Sequence, residues 1–163
     1  MKILLTLFMV AFGLFSSAQQ TDITELKNQL KAYKTEAKEL LGEKTYDGSK
    51  TTYFTSGKKI VKKGVEVELF LRDNYTLVLN GKGAPTETMV RFYDKPAQDL
   101  NRILIKEITN IQGRTAVQVS KELREIYNAK VQGTQKLDAI FVEYRAKKSD
   151  EEKRGGMVLV LGY

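Results

Sequence analysis

The chain has 163 residues, 27 lysines and arginines against 20 aspartates and glutamates, and a formal net charge of +7; it contains no histidine, cysteine or tryptophan. That composition excludes Ser-His-Asp and Cys-His nucleophile arrangements, zinc sites built from His or Cys, haem held by either, and disulfides. Only carboxylate, lysine, tyrosine or hard-metal chemistry remains for an enzyme, and no motif points to it. The sequence therefore assigns no catalytic residue, no cofactor and no metal.

Lys2 precedes an apolar run from Ile3 to Phe15, and the small residues Ser16-Ser17-Ala18 follow it. A basic start, a short apolar stretch and small residues, in that order, predict a signal peptide over residues 1–18 with cleavage near Ala18. The run falls short of the ~20 residues that span a bilayer as a helix. No cysteine stands at the cleavage point for lipid attachment. The expectation is a periplasmic or secreted protein of the bacterial cell envelope, not membrane-spanning, with residues 19–163 as a single α+β domain. Export argues against nucleic acid as the partner of the basic surface and leaves an envelope protein or an anionic surface.

Residues 21–41 carry Ile23, Leu26, Leu30, Tyr33, Ala37 and Leu40 at alternating spacings of three and four, which predicts an amphipathic helix. Asp22 with Glu25 suits its start and Gly42 its stop. Lys27, Lys31, Lys34 and Lys38 flank one side of the apolar seam; Glu25, Glu36, Glu39 and Glu43 flank the other. The seam is expected to pack on the protein's own sheet. Leu26 and Leu30 are also candidate partner-binding residues, with a homodimer through residues 22–41 as the form that binding would take.

Beyond Gly42 the pattern changes to period two. Tyr46 to Ser49 suggests a turn and Thr51 to Thr55 a strand. Lys58, Lys59, Lys62 and Lys63 form the densest basic cluster, a candidate binding site that also suits a sheet edge. Val65 to Asn80 reads as a hairpin around Arg72-Asp73-Asn74, placing Val67, Leu69 and Leu71 on one face with Tyr75, Leu77 and Leu79. Gly81-Lys82-Gly83 lacks the spacing of a phosphate loop. Strands follow at 89–93, 102–109 and 115–119. A short helix is expected from a Ser120 cap to about Lys130, ended by Gly133. Residues 137–144 and 157–161 are apolar on both faces, as central strands are.

Glu66 and Glu68, two apart on one strand face, are the nearest approach to an acid-base pair, and a solvated strand surface explains them equally well. Asp150-Glu151-Glu152 sits among lysines without calcium-loop spacing. Tyr53, Tyr75, Tyr93 and Tyr144 all fall on strands, where packing is the default role. The fold expected is α+β: a mainly antiparallel curled sheet of about seven strands with an N-terminal amphipathic helix and a second short helix. The function expected is non-catalytic binding or interaction in the envelope. Two alternatives stand beside it: a carrier holding a small apolar, lipid-like ligand between curved sheet and helix, and an enzyme using carboxylate, Lys or Tyr chemistry.

Overall fold

The structure is a computed structural model that describes residues 22–69, 74–133 and 136–163. The expected signal peptide, the start of the first helix and the tip of the expected hairpin lie outside these residues. Helix α1 covers residues 22–39. Strands β1 (Tyr46–Thr55), β2 (Val61–Glu68), β3 (Thr76–Asn80), β4 (Thr88–Tyr93), β5 (Leu104–Ile108) and β6 (Thr115–Val119) follow. Helix α2 (Ser120–Val131) and strands β7 (Ala139–Ala146) and β8 (Arg154–Gly162) complete the order.

The strands form two antiparallel four-stranded sheets, ordered β1-β8-β3-β6 and β2-β7-β4-β5. Among the described residues only β4 and β5 pair as neighbours in sequence; the other connections carry the chain from one sheet to the other or through α2. That interleaving is the eight-stranded jelly roll. The α+β expectation stands, with eight strands in two packed layers where about seven in one curled sheet were expected.

The expected 65–80 hairpin does not form: β2 pairs with β7, and β3 lies between β6 and β8 in the opposite sheet. Its burial pattern nonetheless holds. Val67, Leu69, Tyr75, Leu77 and Leu79 all enter the core, from both sheets. Alternation marks which face is buried, and any antiparallel partner satisfies it. The turn expected at Tyr46 to Ser49 is instead the bulged start of β1, with a register shift between Tyr46 and Gly48.

Met157 and Leu159 of β8 meet Val90 and Phe92 of β4 and Ile140, Val142 and Tyr144 of β7 in the space between the sheets. Strand β8 runs through the middle of its sheet, buried on both faces as its apolar sequence requires. Leu123 and Tyr127 carry α2 into the same core, and Lys130 Nζ donates to Leu104 O of β5. Ser120 is the first helical residue rather than the cap; its hydroxyl accepts the Tyr75 N–H at 2.8 Å. The left-handed residue that ends α2 is Gln132 (φ 53°), one position before the expected Gly133.

Helix α1 packs on the outer face of the β1-β8-β3-β6 sheet, and a second, smaller core forms there. Leu30, Ala37 and Leu41 cover Val78 of β3 and Val158 and Val160 of β8. Glycine makes the close approach possible: a Cβ at Gly156 would lie 2.6 Å from Leu30 Cδ1 and 3.1 Å from Thr52 O. Asn80 Nδ2 donates to Tyr33 O at 3.3 Å, and Lys82 pairs with Glu36. Gly42 takes the left-handed conformation (φ 61°) and ends the helix region, as its position in sequence predicts. Helix and sheet are in direct contact through Leu30, Ala37 and Leu41.

Candidate functional site

Period two sends Lys62, Gly64 and Glu66 of β2 to the outer face of the second sheet, opposite α1 across the molecule. The register sets Lys62 beside Arg145, Gly64 beside Glu143 and Glu66 beside Phe141 on β7. On the other side of β7, Arg91 of β4 stands next to Glu143 and Tyr93 next to Phe141. One row across the sheet therefore runs Gly64, Glu143, Arg91, Glu107, with alternating charge after the glycine.

Glu143 is only 7% exposed, and a buried carboxylate needs cationic partners. Arg102, from the loop between β4 and β5, donates from Nη2 to Glu143 Oε2 at 3.1 Å. Arg145 Nε lies 3.3 Å from Oε1, an ion pair without the alignment of a hydrogen bond. The Arg102 guanidinium also lies over the Tyr93 ring, 3.8 Å from its centroid. Arg91 Nε donates to Glu107 Oε2 at 2.6 Å. Partial burial works against the Arg91 charge, but the bond to Glu107 and the neighbouring Tyr93 outweigh it, and the proton is held more tightly than in a free arginine.

Gly64 leaves a gap in this otherwise side-chain-covered face. A Cβ built there meets nothing within 4 Å. The gap is part of a groove of about 400 Å³. Phe141 and Glu143 lie on its β7 side, Lys62, Lys63 and Glu66 on its β2 side, and Pro96 to Gln98 with Arg102 come from the β4–β5 loop. Its chemistry is mixed: three cationic side chains, two carboxylates and a half-buried aromatic ring.

Of the residues singled out in the sequence, Lys62 and Lys63 line this groove. Lys58 and Lys59 are exposed in the connection between β1 and β2, outside the groove lining. Leu26 and Leu30 sit under α1 on the other sheet, where Leu30 is 2% exposed and taken up by packing. Glu66 belongs to the groove; Glu68 lies further along β2. Asp150 to Glu152 stay on the surface, and the hydrogen bond from Lys153 lowers the Glu151 carboxyl. Tyr75, Tyr93 and Tyr144 are buried, and Tyr53 is half exposed. The sequence reading missed Gly64, Arg102, Phe141 and Glu143. Signals existed for two of them: Gly64 is a glycine inside a strand and Glu143 a lone carboxylate inside an otherwise apolar one.

No family model matches the chain, and no curated protein does. Two solved structures are similar in outline. One is a chain of Bacillus endospore appendages, described as a family of disulfide-linked pili. It shares 11% identity over 75% of this chain and 90% of that one, with a TM-score of 0.40. The other is a carbohydrate-binding module of an endoglucanase from Eubacterium cellulosolvens. It shares 10% identity over 71% of this chain and 95% of that one, with a TM-score of 0.38. Among the described residues no helix is long and apolar enough to cross a membrane.

Proposed function

We propose that this protein is an exported, non-catalytic binding module of the bacterial cell envelope, and that the groove beside Gly64 is its recognition surface for a small, negatively charged polar ligand. The observation that carries the reading is Arg102. It is clamped between the Tyr93 ring and the buried Glu143 at the edge of a groove that β2 leaves open. Fixing so long a side chain in advance removes part of the entropy cost that binding would otherwise incur. One Nη group is engaged with Glu143, and the guanidinium has further N–H donors with which to meet an anion. Lys62 and Lys63 add positive charge across the gap.

Catalysis is disfavoured by the same geometry. The chain has no histidine or cysteine, and the buried carboxylate of the groove is engaged by guanidinium groups on two sides. The export half of the proposal rests on residues 1–18. Protein sequencing of the mature product should begin at Gln19; an intact Met1 on protein held inside the cell overturns it.

Gly64→Phe tests the groove. The new ring fills open space on an exposed strand position, so the fold is expected to persist. The wild-type chain should co-sediment with the insoluble envelope fraction of its host, and Gly64→Phe, at a matched melting temperature, should remain in the supernatant. Equal sedimentation of the two removes the groove as the recognition surface.

A further inference from the structure

Resting on that reading of the groove, we infer that its ligand is a saccharide bearing a carboxylate, a uronate unit, in preference to a neutral sugar or a phosphate. The groove presents donor-only groups (Lys62, Lys63 and Arg102) together with the acceptor-only carboxylate of Glu66, while Glu143 is already held by Arg102 and Arg145. A bare anion would satisfy the donors and be repelled by Glu66. A neutral sugar would donate a hydroxyl to Glu66 and leave the Arg102 guanidinium without a counter-charge beyond Glu143. A hydroxylated ring carrying one carboxylate meets both needs at once. A phosphate monoester brings close to two negative charges at neutral pH, and the flanking Glu66 carboxylate opposes that more strongly.

The apolar part of the groove fits the same ligand. Phe141 stands between Glu66 on β2 and Tyr93 on β4, half-buried, and is among the residues lining the groove. Aromatic rings offer a flat apolar surface, and a pyranose has C–H faces to lay against one. A volume of about 400 Å³ falls within the range of small-ligand pockets and holds a short saccharide. The planar guanidinium fork matches the two oxygens of a carboxylate.

Isothermal titration of the mature chain with three probes tests the inference: a galacturonate trimer, the same trimer as its neutral methyl ester, and inorganic phosphate. The acid should bind at least about tenfold more tightly than the ester. Added salt should weaken it, and phosphate should not displace it. Arg102→Gln, which leaves Arg145 beside Glu143, should reduce affinity for the acid to that for the ester, and Gly64→Phe should abolish binding of both. Equal affinity for acid and ester, displacement by phosphate, or no binding of the acid overturns the uronate assignment. If the ester binds as tightly as the acid and Gly64→Phe abolishes both, only the ligand class is wrong and the groove remains the recognition surface. If no probe binds and wild type and Gly64→Phe sediment equally with the envelope fraction, the groove itself falls.

Discussion

Tyr144 places a hydroxyl in the interior of the sandwich. Its ring meets Phe54 edge-on at 6.0 Å between centroids, and among the described residues the hydroxyl has no hydrogen-bond partner. Burial pushes the phenol well above its ordinary value of 10.0, because the phenolate would lose its hydration there. The folded state thus holds the proton more tightly than the unfolded chain. Stability is unaffected by this group below pH 10 and falls as pH rises past it, by about 1.4 kcal/mol per pH unit at most. Tyr144→Phe removes an unsatisfied buried group, so it should raise stability at pH 7 by about 1 kcal/mol. It should also flatten the alkaline decline. Urea melts at pH 7, 9, 10 and 11 check both; a mutant less stable at pH 7, or one with the wild-type alkaline slope, contradicts this account. At this scale the sequence was partly legible. Tyr144 was expected on a strand, whereas Glu143 beside it was passed over as part of an apolar segment. Arg102 was not legible, because its partners Tyr93 and Glu143 come from two other strands.

Elements were more legible than their partnerships. The three-four spacing of α1 predicted Leu30 and Ala37 against the sheet, with Leu26 and Tyr33 partly buried beside them, while Leu41, outside the expected stripe, completes the contact. Leu40, also on the expected stripe, is 49% exposed, because the helix has ended by then and the chain turns at Gly42. The pairing of β2 with β7 and of β1 with β8 joins distant segments, and no local pattern encodes it. The smaller core under α1 rests on few side chains, so each matters. Leu30→Ala should cost about 2–4 kcal/mol, read as a shift in the denaturant midpoint. Gly156→Val should cost a comparable amount by a different route, since the new side chain meets Leu30 and the Thr52 carbonyl. The two effects should fall short of additivity, because Leu30→Ala removes the atoms against which the valine clashes. Full additivity in the double mutant would place the Gly156 clash elsewhere.

For the whole molecule the order of assembly follows from topology. The β1–β8 ladder joins Tyr46 to Gly162 and Thr55 to Arg154; the β2–β7 ladder joins Val61 to Ala146 and Glu68 to Ala139. Nearly every strand waits for a partner far along the chain, and the loop-closure entropy must be met before any ladder stabilises the fold. Folds dominated by such pairings refold in roughly milliseconds to seconds, and this chain belongs at the slow end of that range. The platform for α1 exists only after β8 has inserted between β1 and β3, because Val158 and Val160 are contributed by β8 and Val78 by β3. The α1 contacts therefore belong to the last stage of folding. Leu30→Ala should leave the refolding rate close to wild type and express its destabilisation almost wholly as faster unfolding, with a φ-value near zero. Stopped-flow measurement of both limbs in urea reads this directly. A φ-value near one would mean that α1 helps to nucleate the sheet on which it finally rests.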